Sequence, residues 1–249
     1  MATQSDFARK AEEIISHVNM SGAAGGEPAY PGDILSVIHN LHQLFPQWVV
    51  MVCPRQHPEL FYVSENCEGL FGETCGHMMS HPEEYFRRLY EDDVEDLYKC
   101  FGFAQEYVEA ESPEERHKIR LVYQYRYRHR DGNYVLLHDE KAVFRTGDDR
   151  YLFYSLFRDV TAEEVFGGVK VEVYKQGTAL KKITEYKPSA TLPLSKREAE
   201  VFVLIKKGLT TKEIAAQLGI SHHTVRNFRS KLFEKYRVSN TVELINAVG

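Results

Sequence analysis

Apolar side chains recur at helical spacing in the first 45 residues. In the stretch 5–18 they are Phe7, Ala11, Ile14, Ile15 and Val18, and in 33–45 they are Ile34, Val37, Ile38, Leu41 and Phe45. Each set predicts an amphipathic helix. The breaker-rich SGAAGGEPAYPG of 21–32 lies between them as a loop, and Pro46 stops the second helix. The β-rich run QWVVMVC (47–53) and LFYVSEN (60–66) predict two short strands. CEGLFGE (67–73) has room for one helical turn before Gly72. Residues 81–111 are expected to be mostly helical, with a break near Glu91. There Asp92 or Asp93 suits an N-cap, and Val94, Leu97, Phe101 and Ala104 continue the stripe.

At Ile119 the period changes from 3.6 to 2. IRLVYQYRYRHR (119–130) and YVLLHDEKAVFR (134–145) flank Asp131-Gly132-Asn133, a strong hairpin signal. After a turn over 146–150, YLFYSLFRDV (151–160) predicts a third strand of the same meander. Tyr123, Tyr125, Tyr127, Leu136, Phe153 and Leu156 are expected to line one wall of a core. Arg126, Arg128 and Arg130 alternate with Tyr125, Tyr127 and His129 as on a two-faced strand, and His129 is expected on the solvent side. VKVEVYK (169–175) and ALKKITEY (179–186), turning near Gly177, predict a further and more polar hairpin. Lys187–Ala190 reads as a linker.

The last 58 residues return to helical spacing. Ser195 with Glu198 forms a capping box before a helix over 196–207, with Ala199, Phe202 and Val203 inward and Gly208 as its stop. Thr210 with Glu213 repeats the device for 211–218, with Ile214, Ala215 and Leu218 inward. Gly219 turns the chain, Ser221 caps a third helix over 222–236, and Asn240 caps a fourth over 241–248. At 100° per residue, Val225, Phe228 and Leu232 of the third helix face the core. Opposite them fall His223, Arg226, Asn227 and Ser230. Thr224 and Lys231 flank one edge, His222 and Arg229 the other. Arginine can bond guanine bidentately and asparagine can do the same with adenine, whereas basic and hydroxyl flanks suit phosphates. The arrangement predicts a helix made for the major groove of double-stranded DNA.

Charge supports this once the chain is divided. The whole chain is formally −5. Residues 189–249 carry ten Lys or Arg against five Asp or Glu, while the remainder carries 21 against 31. A basic island on an acidic chain is the expected footprint of a polyanion-binding module. No apolar run approaches the roughly 18–20 residues of a membrane span. The N-terminus has no secretory layout, so a cytoplasmic location with reduced thiols is expected.

Two families are resembled. The order of short strands, small helices, a longer helix and three antiparallel strands is similar to a PAS domain over about 33–162. YVSENCEGLFG, LYEDDVEDL, YRHRDGNYVLLH and FYSLFRDVT carry the local likeness. LSKREAEVFVLIKKGLTTKEIAAQLGISHHTVRNFRSKLFEKYRV resembles the LuxR-type (FixJ- or GerE-type) helix-turn-helix, through Leu194, Arg197, Glu198, Val201, Gly208, Lys212, Glu213, Ile214, Ala215, Leu218, Ser221, Thr224, Val225, Lys235 and Val238.

The first likeness implies a sensory or dimerising domain that holds no cofactor or an unidentified small ligand in its core, or else meets a protein partner. The second implies base contacts from Arg226, Asn227 and Ser230, alongside His223. It implies backbone contacts from Lys212, His222, Thr224 and Lys231, alongside Arg229. It also implies a homodimer surface on the fourth helix, at Val242, Leu244, Ile245 and Val248. Phe228 stands where that family usually has histidine and Thr241 where it usually has arginine, so an operator sequence does not carry over.

The expected fold is therefore an α+β PAS-like domain, an antiparallel sheet with flanking helices, followed by an all-α four-helix LuxR-type helix-turn-helix domain. The expected division is an N-terminal helix and loop (1–32), the PAS-like domain (33–162), a polar hairpin and linker (163–191), and the DNA-binding domain (192–249). Asn66-Cys67 invites comparison with flavin-binding PAS domains, but the following Glu68-Gly69-Leu70-Phe71 lacks their arginine and glutamine, so Cys67 reads as a buried core thiol. Cys75, His77 and His81 are close enough in sequence to be weighed as metal ligands, but Gly76 and Pro82 favour a loop and no fourth ligand is evident. No nucleophile elbow, phosphate-cradling loop or carboxylate pair points to an enzyme, and no phosphoreceiver pattern precedes the DNA-binding stretch.

Overall fold

The computed structural model describes residues 39–54, 62–145, 151–188 and 194–248, apart from Leu41 and Pro82. The helix expected over 5–18, the loop over 21–32 and the turn over 146–150 lie outside the described residues. Of the helix expected over 33–45, residues 39–40 and 42–44 are helical.

Seven strands form one antiparallel sheet: β1 Val49–Pro54, β2 Tyr62–Val63, β3 Ile119–Arg128, β4 Tyr134–Arg145, β5 Tyr151–Asp159, β6 Lys170–Gln176 and β7 Leu180–Tyr186. Their order across the sheet is β2-β1-β5-β4-β3-β6-β7, and the first five give it the PAS-like arrangement. The β3–β4 hairpin closes as the Asp-Gly signal requires. Gly132 takes φ 89°, the Asn133 amide donates to Asp131 Oδ1 at 2.9 Å, and the His129 amide donates to the Asn133 carbonyl at 2.8 Å. The polar hairpin expected over 169–186 also forms. Its first strand pairs with β3 from Ile119↔Lys175 to Gln124↔Lys170, so the sheet runs on into this segment.

Short helices α1 Cys67–Phe71, α2 Cys75–Ser80 and α3 Glu83–Arg87 and the longer α4 Val94–Ala110 complete this part. Leu97, Cys100, Phe101, Ala104 and Val108 of α4 join the core of the sheet. Phe101 stacks on Tyr123 at 4.6 Å between centroids. Phe71 meets Tyr85, Tyr127 and Phe157 edge to face at 5.2–5.6 Å, a geometry that adds to area burial.

Four sequence expectations change here. Leu156 is not on the tyrosine wall. Side chains alternate along β5, so Leu156 packs with Val50, Val52 and Leu152 in a separate cluster while Phe157 joins the main core. Asp93 occupies the N-cap position of α4 but makes no capping bond, because its carboxylate is committed to Arg126. Residues 75–80 form a helix rather than a loop, capped by Thr74, whose Oγ1 accepts from the His77 amide at 3.3 Å. His129 is half-buried, with Nδ1 3.0 Å from Asp131.

The C-terminal unit is four helices: α5 Lys196–Lys206, α6 Thr211–Leu218, α7 His222–Tyr236 and α8 Thr241–Val248. Both capping boxes are present, Ser195 with Glu198 and Thr210 with Glu213, each worth roughly 1 kcal/mol of helix stability. Gly219 takes φ 63° to close α6, a conformation that costs glycine little. Val201, Phe202, Leu204 and Ile205 of α5 meet Ile214, Ala215, Val225, Leu232 and Leu244 in the core. Val203, expected inward, is half exposed; the buried stripe of α5 falls on its neighbours.

Candidate nucleic-acid interface

The turn at Gly219 and the Ser221 cap set the direction of α7. Ser221 Oγ accepts the Thr224 amide at 3.0 Å. Val225 and Leu232 are fully buried on the inner side and Phe228 packs beside them. Lys235 ties the far end of the helix to Glu198 of α5 at 2.9 Å. Helix α7 is thus anchored along one side, while His223, Arg226, Asn227 and Ser230 are exposed on the other. His222 and Lys231 are exposed on α7 and Lys212 on α6.

Two of the expected backbone contacts have other partners. Arg229 is half-buried and donates from Nη2 to Thr241 Oγ1 at 2.7 Å, joining α7 to α8. The Thr224 hydroxyl lies 2.8 Å from Ser221 Oγ, within the cap. Of the residues expected to form a dimer surface, Val242 is exposed, and Ile245 and Val248 are half-buried against the core of their own domain. Leu244 is a correction. It is fully buried inside the four-helix core, on the side of α8 that also carries the buried Ala247.

The sequence reading missed the contacts between the two halves of the chain. Arg237 follows α7 in the left-handed conformation, φ 53° and ψ 42°, where glycine is usual. Its Nη1 donates to the Asp92 carbonyl at 2.7 Å. Its guanidinium also lies 3.4 Å from both Glu95 and Asp96, at the start of α4. Its own carbonyl accepts from Arg126 Nη2 at 3.1 Å. Arg126 is held in turn by the buried Asp93 carboxylate, which accepts from its Nε at 3.1 Å and its backbone amide at 2.9 Å. Its guanidinium lies over the rings of Tyr90 and Phe166 at 3.9 and 4.2 Å. Burial lifts the Asp93 carboxyl above its ordinary value against the opposing pull of Arg126.

A second contact is nearby. Lys187 Nζ donates to the Asn246 carbonyl of α8 at 2.6 Å, and a Cβ placed on Gly167 would stand 3.1 Å from Asn246 Cβ. The available signal was an arginine at the position after a helix where glycine is expected.

The core of the PAS-like part holds a buried polar chain. The Tyr85 and Tyr125 hydroxyls are hydrogen-bonded to each other. Tyr125 donates to Asp139 Oδ2 at 2.7 Å, Lys141 Nζ sits 3.0 Å from Asp139 Oδ1, and Lys141 also donates to Ser155 at 3.0 Å. Burial, followed by the Asp139 charge, holds the Tyr85 and Tyr125 hydroxyls far above the ordinary tyrosine range. The Tyr123 and Tyr127 hydroxyls are buried without a hydrogen-bond partner among the described residues, which is costly for a phenol. The ring faces of His77 and His81 stack at 4.7 Å, but no group of three or more metal-binding side chains occurs among the described residues. No helix among them is long and apolar enough to cross a membrane.

The chain is 36% identical over 90 residues to the transcriptional regulatory protein DesR of Bacillus subtilis (strain 168), covering 36% of this chain and 45% of that one. It is 52% identical over 52 residues to the transcriptional regulatory protein UhpA of Escherichia coli (strain K12), covering 21% and 26%. It therefore spans less than half the length of these relatives. Among solved structures, a Vibrio cholerae VqmA dimer described as a LuxR-type receptor aligns at 19% identity over 86% of both chains, with a TM-score of 0.34. Residues 192–248 match the model of the bacterial regulatory proteins, luxR family, so the four-helix unit that closes this chain is a LuxR-type helix-turn-helix.

Proposed function

We propose that the protein is a sequence-specific, DNA-binding transcriptional regulator whose PAS-like part governs the placement of its reading helix. The observation that carries the first half is the exposed face of α7, with Arg226 and Asn227 at its centre and a capped, buried helix behind it. The second half rests on the Arg126–Arg237 contact, through which strand β3 touches the end of that helix. A homodimer would place two copies of α7 on half-sites about 34 Å apart. A small polar ligand reaching the core would find the Tyr123 and Tyr127 hydroxyls to satisfy. Since both lie on β3 within four residues of Arg126, such a ligand would act on the strand that carries the contact.

The test is selection of duplexes from a random library by the full-length chain, followed by titration at several salt concentrations. One enriched motif, bound with an affinity that falls steeply with salt and relaxed at one base position in Arg226→Ala, is expected. Binding without motif enrichment would overturn sequence-specific reading.

A further inference from the structure

Cys67 and Cys75 lie in the sheet domain, away from the exposed face of α7. Cys67 opens α1 and Cys75 opens α2, and both side chains belong to or pack against the core of the sheet. Cys67 is fully buried, and its Sγ donates to the carbonyl of Glu73, two residues before Cys75, at 3.3 Å. Cys75 is half-buried and packs against the same core cluster. The connecting segment turns at Gly72, at φ 73°, where a Cβ would lie only 2.3 Å from Arg130 Cβ. This tight turn leaves the segment few alternatives, and the Cys67–Glu73 contact holds its far end, two residues before Cys75, against the first thiol.

We propose that Cys67 and Cys75 form a reversible dithiol–disulfide pair that responds to hydrogen peroxide. Burial pushes the Cys67 thiol up to about 12, and the charge of Cys75 adds to the rise. Cys67 therefore stays protonated and shielded, and the half-exposed Cys75 is the one peroxide reaches first. The Cys75 thiolate attacks one peroxide oxygen and breaks the O–O bond; with one proton taken up, a sulfenic acid and water result. Cys67 sulfur then attacks the sulfenic sulfur, an S–S bond forms as the S–O bond breaks, and the Cys67 proton leaves with the hydroxide as a second water. The pair loses two electrons to one peroxide. Proximity offsets the low thiolate fraction of Cys67.

Closure removes the Cys67 proton now given to Glu73. Glu73 also pairs with Arg88, and the Arg88 carbonyl accepts the Arg128 amide of β3 at 2.8 Å. The new bond therefore acts on a segment tied to the strand that carries Arg126.

The test is peptide mapping of the native full-length chain after equimolar peroxide, with alkylation in denaturant. No lysine or arginine lies between residues 56 and 86, so trypsin releases both cysteines in one peptide ending at Arg87. That peptide is expected to lose alkylation at both sulfurs together, to be lighter by two hydrogens, and to recover both on reduction with dithiothreitol. Cys75→Ser should abolish the change, and Cys100→Ser should leave it intact. Three results would each overturn the proposal: Cys75 carried to sulfinic acid while Cys67 still alkylates, both cysteines alkylating fully after peroxide, or the same disulfide yield in urea as in the native chain. The wild-type map decides even where a cysteine variant fails to fold.

Discussion

The carbonyl oxygen of Arg237, just past the end of α7, accepts a hydrogen bond from the Arg126 guanidinium of β3 at 3.1 Å. Residues 111 positions apart in sequence thus meet at one atom pair, and the side chain of Arg237 reaches back to Asp92, Glu95 and Asp96. Arg237 holds a backbone conformation that costs a residue with a Cβ about 1–2 kcal/mol, so its side chain and not its backbone preference accounts for its presence.

Arg237→Gly separates the two effects. The backbone is relieved while the guanidinium contacts go, so thermal stability of the four-helix unit should hold or rise slightly. Distances between spin labels placed at Glu106 and Val242 should broaden. An unchanged distribution would mean that this contact does not set the arrangement.

Arg226 and Arg229 are both cationic residues of α7, but they should fail differently. Arg226→Ala should cost about 1–3 kcal/mol at one base position and relax preference there. Arg229→Ala removes the bond to Thr241, so it should lower the melting temperature and leave base preference unchanged. Binding to a panel of single-base operator variants, alongside melting curves, checks both.

On α8, Leu244 and Val242 are two residues apart and face opposite ways. Leu244→Ala empties a core position and should cost about 2–5 kcal/mol in denaturant unfolding. Val242→Ala should leave unfolding nearly unchanged, so any effect on self-association measured by sedimentation is attributable to the surface.

The β6–β7 hairpin should be acid-labile through Glu172. Burial raises that carboxyl, but hydrogen bonds from Lys182, Tyr174 and Lys170 outweigh it and hold the group at about 2, against 4.5 when unperturbed. A carboxyl depressed in the folded state contributes stability that is complete above its unfolded value and is lost as pH falls through the folded one. Protection of the β6 and β7 amides, taken relative to their intrinsic exchange rates, should therefore fall from about pH 4.5 towards 2, and Glu172→Gln should flatten that dependence.

Local signals were legible because their partners are close in sequence. Asp131-Gly132, both capping boxes and the inward stripe of Val225 and Leu232 each need only three or four neighbours to be read. Pairings between distant segments were not legible. Nothing in VKVEVYK names β3 as its partner, and an acidic residue before a helix reads as a cap until Arg126 is known to face it. Leu156 was misplaced for a different reason. Phe153 and Leu156 are three residues apart on one strand, so alternation places them on opposite faces, and only Phe157 of that run shares the main core. The outward residues of α7 were legible, yet the engagement of Arg229 with Thr241 required the position of α8.

The sheet also works as a ruler. Strand β7 ends at Tyr186, and the next residue, Lys187, is bonded to the last turn of α8, while β6 carries a register shift between Val173 and Tyr174. Each residue gained or lost in this hairpin would move the exit point by about 3.3 Å and invert which side chains face the core. Hairpin length is therefore a dimension along which related chains could shift the four-helix unit against the sheet without altering a single exposed residue of α7.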